Sequence, residues 1–197
     1  MKRIVPFVLM ASALWAQEKG RIEPFGLHPG MTRQEIMALV GAGAVDATNS
    51  KGDVLVLDTA PRPHPSFETY SLSISPSDGL LKVVAIGKDI QTNGYGIEIM
   101  AAFHQTAEAL AATYGTPQTA DWLKPGSIWD EQREWTMGLL KRERELFALW
   151  NKDTRFSGIV LESVALSQEV GYLKLSYEFN GWERYVESKR AAQNKVF

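Results

Sequence analysis

The hydrophobic positions of this 197-residue chain change period several times, and each change marks an element. Around residue 32 the spacing becomes helical. Thr32 and Glu35 stand three apart as a capping box, Met31 and Ile36 are placed as a hydrophobic staple, and Ile36, Leu39 and Val40 form an apolar stripe that Gly41 stops. The spacing predicts a helix over 33–40. The period then falls to two. Residues 53–58 are rich in Val and Leu. Residues 67–75 alternate, with Tyr70, Leu72 and Ile74 on one side and Thr69, Ser71 and Ser73 on the other. Pro76-Ser77-Asp78-Gly79 is turn chemistry, and 80–87 returns as a third strand. Pro61-Arg62-Pro63-His64-Pro65 reads as an extended exposed loop.

The helical period comes back after Asn93-Gly94-Tyr95-Gly96. Phe103, Ala107, Leu110, Ala111 and Tyr114 recur at helical spacing until Gly115 and Pro117 end the run. Residues 117–126 then read as a connector, and Ser127 as the cap of a helix over about 128–140. Strands are predicted over 144–150, 158–167 and 172–179. In the last, Leu173, Leu175, Tyr177 and Phe179 share one face and Lys174, Ser176 and Glu178 the other. Such clean alternation belongs to an antiparallel sheet with one wet face. Asn180 and Glu183 cap a terminal helix carrying Trp182, Tyr185, Val186 and Lys189 at helical spacing.

The predicted order is helix, three strands, two helices, three strands, helix. It implies an α+β fold, an antiparallel sheet with helices packed on one face, readable as two tandem helix-plus-three-strand halves over 24–92 and 93–197. A local echo supports the division: residues 35–43 and 107–115 both run as an apolar helix into glycine.

The first sixteen residues follow neither period. Met1-Lys2-Arg3, an apolar run from Ile4 to Leu14, and small residues at Ala11-Ser12-Ala13 and Ala16 have the layout of a secretory signal peptide. Cleavage is expected after Ala16, or alternatively after Ala13, leaving one α+β domain over 17–197 in the periplasm or outside the cell. The run is shorter than the roughly 20 apolar residues that span a bilayer, and no later stretch approaches that length, so no stable membrane insertion is expected. Removal of Lys2 and Arg3 leaves 19 basic against 23 acidic residues, a net charge near −4. That balance argues against a sequence-independent nucleic-acid binder. The absence of cysteine removes disulfides, lipid attachment, thiolate metal sites and thiol catalysis together.

Gly30-Met31-Thr32, Glu35-Ile36 and Leu39-Val40-Gly41 together resemble the opening motif of the small periplasmic SmpA/OmlA proteins, and the layout resembles β-lactamase-inhibitor-protein-like repeats, in which a helical segment packs on a short antiparallel sheet. The resemblance implies an exported α+β chain that works by protein–protein contact.

Candidate chemistry is sparse. His28, His64 and His104 lie too far apart in sequence for a local zinc pair. No nucleophile elbow, Ser-x-x-Lys set or Walker loop is present. Carboxylates cluster at Asp130-Glu131 and Glu143/Glu145, where an exported hydrolase of wall sugars or peptides would need acids converging from separate elements. Tryptophan is the richer signal: Trp122, Trp129 and Trp135 fall in or beside the connector, where aromatic anchors of a protein interface are expected. The expectation is a noncatalytic binding protein without cofactor or metal, meeting a protein partner in the cell envelope through the exposed sheet face and the segment around Trp122. The alternatives are the hydrolase and a small-ligand carrier, which would need an apolar cavity between sheet and helices.

Overall fold

The computed structural model describes residues 23–151 and 153–194, so the expected signal segment lies outside the described residues. The chain runs α1 (Arg33–Val40), β1 (Val54–Leu57), β2 (Phe67–Ser75), β3 (Gly79–Gly87), β4 (Ile90–Gln91), α2 (Ile97–Tyr114), β5 (Gln118–Leu123), α3 (Trp135–Leu140), β6 (Arg144–Trp150), β7 (Phe156–Ala165), β8 (Val170–Phe179) and α4 (Trp182–Asn194). The fold is α+β, as the periodicity implied. All strand pairs are antiparallel, in the spatial order β1-β2-β3-β8-β7-β6-β5, with β4 also paired to β8.

The two three-strand meanders, β1–β3 and β6–β8, are entered from opposite edges and meet at the β3–β8 seam. One continuous core follows. Leu55, Leu57, Tyr70, Leu72, Val83 and Ala85 of the first half and Ile159, Leu161, Leu173, Leu175 and Tyr177 of the second belong to the same buried cluster. Ile36 of α1, Ile99 and Phe103 of α2 and Trp135 and Leu139 of α3 complete it.

The α1 cap forms as its residue types require. Glu35 N donates to Thr32 Oγ1 at 3.2 Å, and Thr32 N donates to Glu35 Oε2 at 2.8 Å. The apolar stripe is rotated from the expected one: Ile36, Met37 and Val40 face the core, while Leu39 is 58% exposed. α4 stands apart, having no buried residue. Tyr185 Oη donates to Asp53 Oδ2 at 2.7 Å, Lys189 pairs with the same carboxylate, and Lys82 Nζ sits 4.9 Å from the Trp182 ring centroid.

Two expectations are corrected. The connector is in large part a strand, β5, pairing with β6 along six positions. The helix expected over 128–140 is a 3-10 turn, Gln132–Glu134, leading into the short α3. The Ser127 hydroxyl does not cap a long helix; it accepts from Trp129 N at 3.1 Å and closes a local turn.

One irregularity lies at the seam. Ile86 pairs with Lys174 and Ile90 with Gly171, so four steps on one strand oppose three on the other. The extra residue is a β-bulge that takes Lys88 and Asp89 out of the ladder with β8, while Lys88 N still donates to the Ser66 carbonyl at 3.0 Å. Gly87 begins it, and a Cβ there would come within 2.8 Å of the Leu173 carbonyl oxygen.

Candidate functional site

Alternation along the strands sorts their side chains onto two faces. Val83, Ala85, Leu161, Leu173, Leu175, Ala148 and Leu146 point into the helix-covered core. Their neighbours point the other way. Across the seam the opposite face carries the row Val84, Ser176, Val160 and Leu149, then the row Ile86, Lys174, Glu162, Phe147 and Ala120. Apart from the buried Ser176, these residues are half-buried. α4 reaches one corner of this face near Lys82, and α1, α2 and α3 send their buried residues to the other side, so the part over β5–β7, away from α4, is the helix-free face. Cross-strand pairs Lys82–Glu178 and Lys174–Glu162, both 2.7 Å, place polar stripes among the apolar rows.

Trp122 stands at the β5 margin of this face. Its neighbour Asp121 is registered opposite the buried Leu146 and turns inward; its carboxylate accepts from Trp135 Nε1 at 3.1 Å and from Arg144 Nη1 at 2.7 Å. Trp122 is therefore directed outward, opposite Glu145 and one pleat along from Ala120 and Phe147, with 47% of its surface exposed. Seven strands spaced about 4.8 Å make the sheet roughly 30 Å across, enough to supply the ~800 Å² one partner contributes to a standard interface.

The three tryptophans do not form one patch. Trp135 is 5% exposed and serves as a core residue, with its ring against the Gly96 backbone and its N–H on Asp121, so the expectation that it contacts a partner is corrected. Trp129 is half-buried, with its Cβ near Gly138 of α3. Of the three, only Trp122 is on the helix-free face. Sequence reasoning did not single out Phe147, Leu149, Val160 or Ile86; the signal available was the second, outward row of apolar residues in strands whose inward row was already satisfied.

Two of the acids are engaged in ion pairs. Glu131 pairs with Arg133, and Asp121 is occupied as described. Asp53 and Asp78 do share a cleft of about 350 Å³ with Arg33 and Ser75. Hydrogen bonds from Lys189 and then Tyr185 hold the Asp53 carboxyl below the usual carboxylate range, and those from Ser77 and Ser75 do the same for Asp78. A glycosidase acid needs the opposite displacement. The histidines have separate local partners: His28 Nδ1 lies 3.0 Å from the Pro29 carbonyl, the His64 ring is tilted against Phe67, and the His104 ring is edge-on to Phe103. Among the described residues no three His, Asp or Glu side chains gather as a metal site, and no helix is long and apolar enough to cross a membrane. Comparison with protein-family models, curated proteins and solved structures returns no match.

Proposed function

We propose that this chain is an exported, noncatalytic binding protein that meets a protein partner on the helix-free face of its sheet. One observation carries the reading: a large aromatic residue, Trp122, stands nearly half exposed on a sheet face that also presents Phe147, Leu149, Val160, Val84 and Ile86. Trp is the side chain that most often anchors a protein interface, and a mixed apolar and charge-paired surface is the usual composition of such contacts. The helix-then-meander layout of the first half, and of α3 with β6–β8 in the second, supports the resemblance to inhibitor-like and SmpA/OmlA-like chains that the opening motif suggested.

The test is affinity capture from envelope extract with the chain from Gln17 onward, identification of the retained protein, and titration of that purified partner. Trp122→Ala should weaken binding by about 2 kcal/mol, roughly thirtyfold, with the melting temperature unchanged. Equal affinity for the variant would remove the helix-free face from the contact. Turnover of wall fragments that disappears on replacing a single carboxylate would replace the binding reading with the hydrolase. Mass spectrometry of the cellular product should find Gln17 at its N-terminus; a cytosolic product retaining Met1 would remove export.

A further inference from the structure

On the other side of the sheet, independent of the face bearing Trp122, a cleft of about 440 Å³ lies over the seam between the two halves. That volume is within the ~300–1,000 Å³ of small-molecule sites. Its deep wall is apolar: Phe67, Leu173, Leu175 and Tyr177 are all buried, and Leu110 of α2 and Phe25 close the sides. The helix side is lined by Ala102, Thr106 and Ala109, so α2 spans the gap without filling it.

Two features hold the cleft open. The bulge after Gly87 carries Lys88 and Asp89 to its rim instead of continuing the ladder with β8. Phe25 adopts a left-handed backbone, φ 58 and ψ 22, which is rare for a bulky residue and costs about 1–3 kcal/mol. It is kept there by Arg62 N donating to its carbonyl at 2.9 Å and by edge-on contacts with Tyr70 at 4.9 Å, Phe67 at 5.6 Å and Tyr177 at 6.0 Å. The polar residues, His64, Ser66, Lys88, Asp89 and Gln105, are exposed and lie at the mouth. Lys88 makes no ion pair among the described residues.

We propose that this cleft binds a single-chain amphiphile with a carboxylate head, its hydrocarbon chain against Phe25, Phe67, Leu175 and Tyr177 and its head at Lys88. An apolar floor under a polar rim selects an amphiphile over a uniformly polar metabolite. The volume suits one chain, not the two of a phospholipid. Lys88 favours an anionic head despite the neighbouring Asp89.

The probe is dodecanoate below its micellar concentration, titrated calorimetrically into the full chain, with octanoate, dodecanol and dipalmitoyl phosphatidylglycerol vesicles as comparisons. Dodecanoate should bind, and octanoate should bind far more weakly, since each buried methylene is worth about fourfold in affinity. Ala109→Phe fills the cleft from an exposed helix position and should lower dodecanoate affinity about tenfold or more. Lys88→Gln should lower it up to about fivefold and leave dodecanol unaffected, as expected of an exposed charge. Methyl chemical-shift changes in the unmodified chain, which need no variant, should centre on Leu173, Leu110 and Ile90. No dodecanoate binding, equal affinity for Ala109→Phe, shifts centred on the Trp122 face, or binding of vesicles alone would each overturn the proposal. Equal affinity for dodecanol and dodecanoate would overturn the carboxylate head. Loss of protein capture by Trp122→Ala tests the other face separately, so either reading can fail alone.

Discussion

Gly96 shows how one residue type decides a junction. Its backbone is left-handed, φ 68, and a Cβ there would lie 2.0 Å from a Trp135 ring carbon. Gly96→Ala should therefore cost about 2–4 kcal/mol, combining backbone strain with a forced shift of a packed indole, as measured by urea unfolding. Asp53 makes a pH-dependent argument at the same scale. Its carboxyl is held low by Lys189 and Tyr185, so the stability it contributes is present above its unfolded pKa of about 3.9 and is lost as pH falls through the lower folded value. Burial and Asp53 push the Tyr185 hydroxyl up to about 12, so its contribution holds below about pH 10 and is lost as pH rises toward about 12. Tyr185→Phe should cost about 1 kcal/mol at pH 7, with the difference shrinking once Asp53 is protonated; chemical denaturation at pH 7 and pH 2 checks both.

β5 is held at the sheet margin by its ladder to β6 and by Asp121, which joins it to Trp135 and Arg144. Asp121→Ala leaves the Trp135 N–H and the Arg144 guanidinium, whose Nε is already buried without a partner, with one acceptor fewer. A loss of about 1–3 kcal/mol is expected, with amide exchange in residues 118–123 rising before that of β7 or β8. This strand was illegible in the sequence for a physical reason. At an edge, with most of its residues exposed, Gln118-Thr119-Ala120-Asp121-Trp122-Leu123 has no need of an alternating apolar row, and its inward polar residue is satisfied by partners 14 and 23 positions away. α1, β2 and β6 were legible to the residue because caps, turns and alternation are local. The helix expected from residue 128 was overextended because Ser127 is as good at closing a turn as at capping a helix.

At the scale of the molecule, the halves share one sheet and one core, so they should unfold together. All five described tryptophans lie in the second half, while β2 lies in the first. Tryptophan fluorescence and mass-detected exchange of β2 should give coincident denaturation midpoints; a separation of the two would mean that the halves fold independently. The helix-free face could be anticipated from strand alternation, and its use for binding was argued from the tryptophans. The cleft could not be anticipated, because a one-residue mismatch between β3–β4 and β8 and a left-handed Phe25 are invisible to any local pattern. The seam also has a consequence for biogenesis. β3 finds its central neighbour only when β8 emerges, more than eighty residues later. Until then, whether on the ribosome or emerging from export, the leading meander has a raw hydrogen-bonding margin. A nascent chain so built invites a holding chaperone during that interval, and a truncation that stops before residue 170 would be expected to precipitate instead of yielding a stable half.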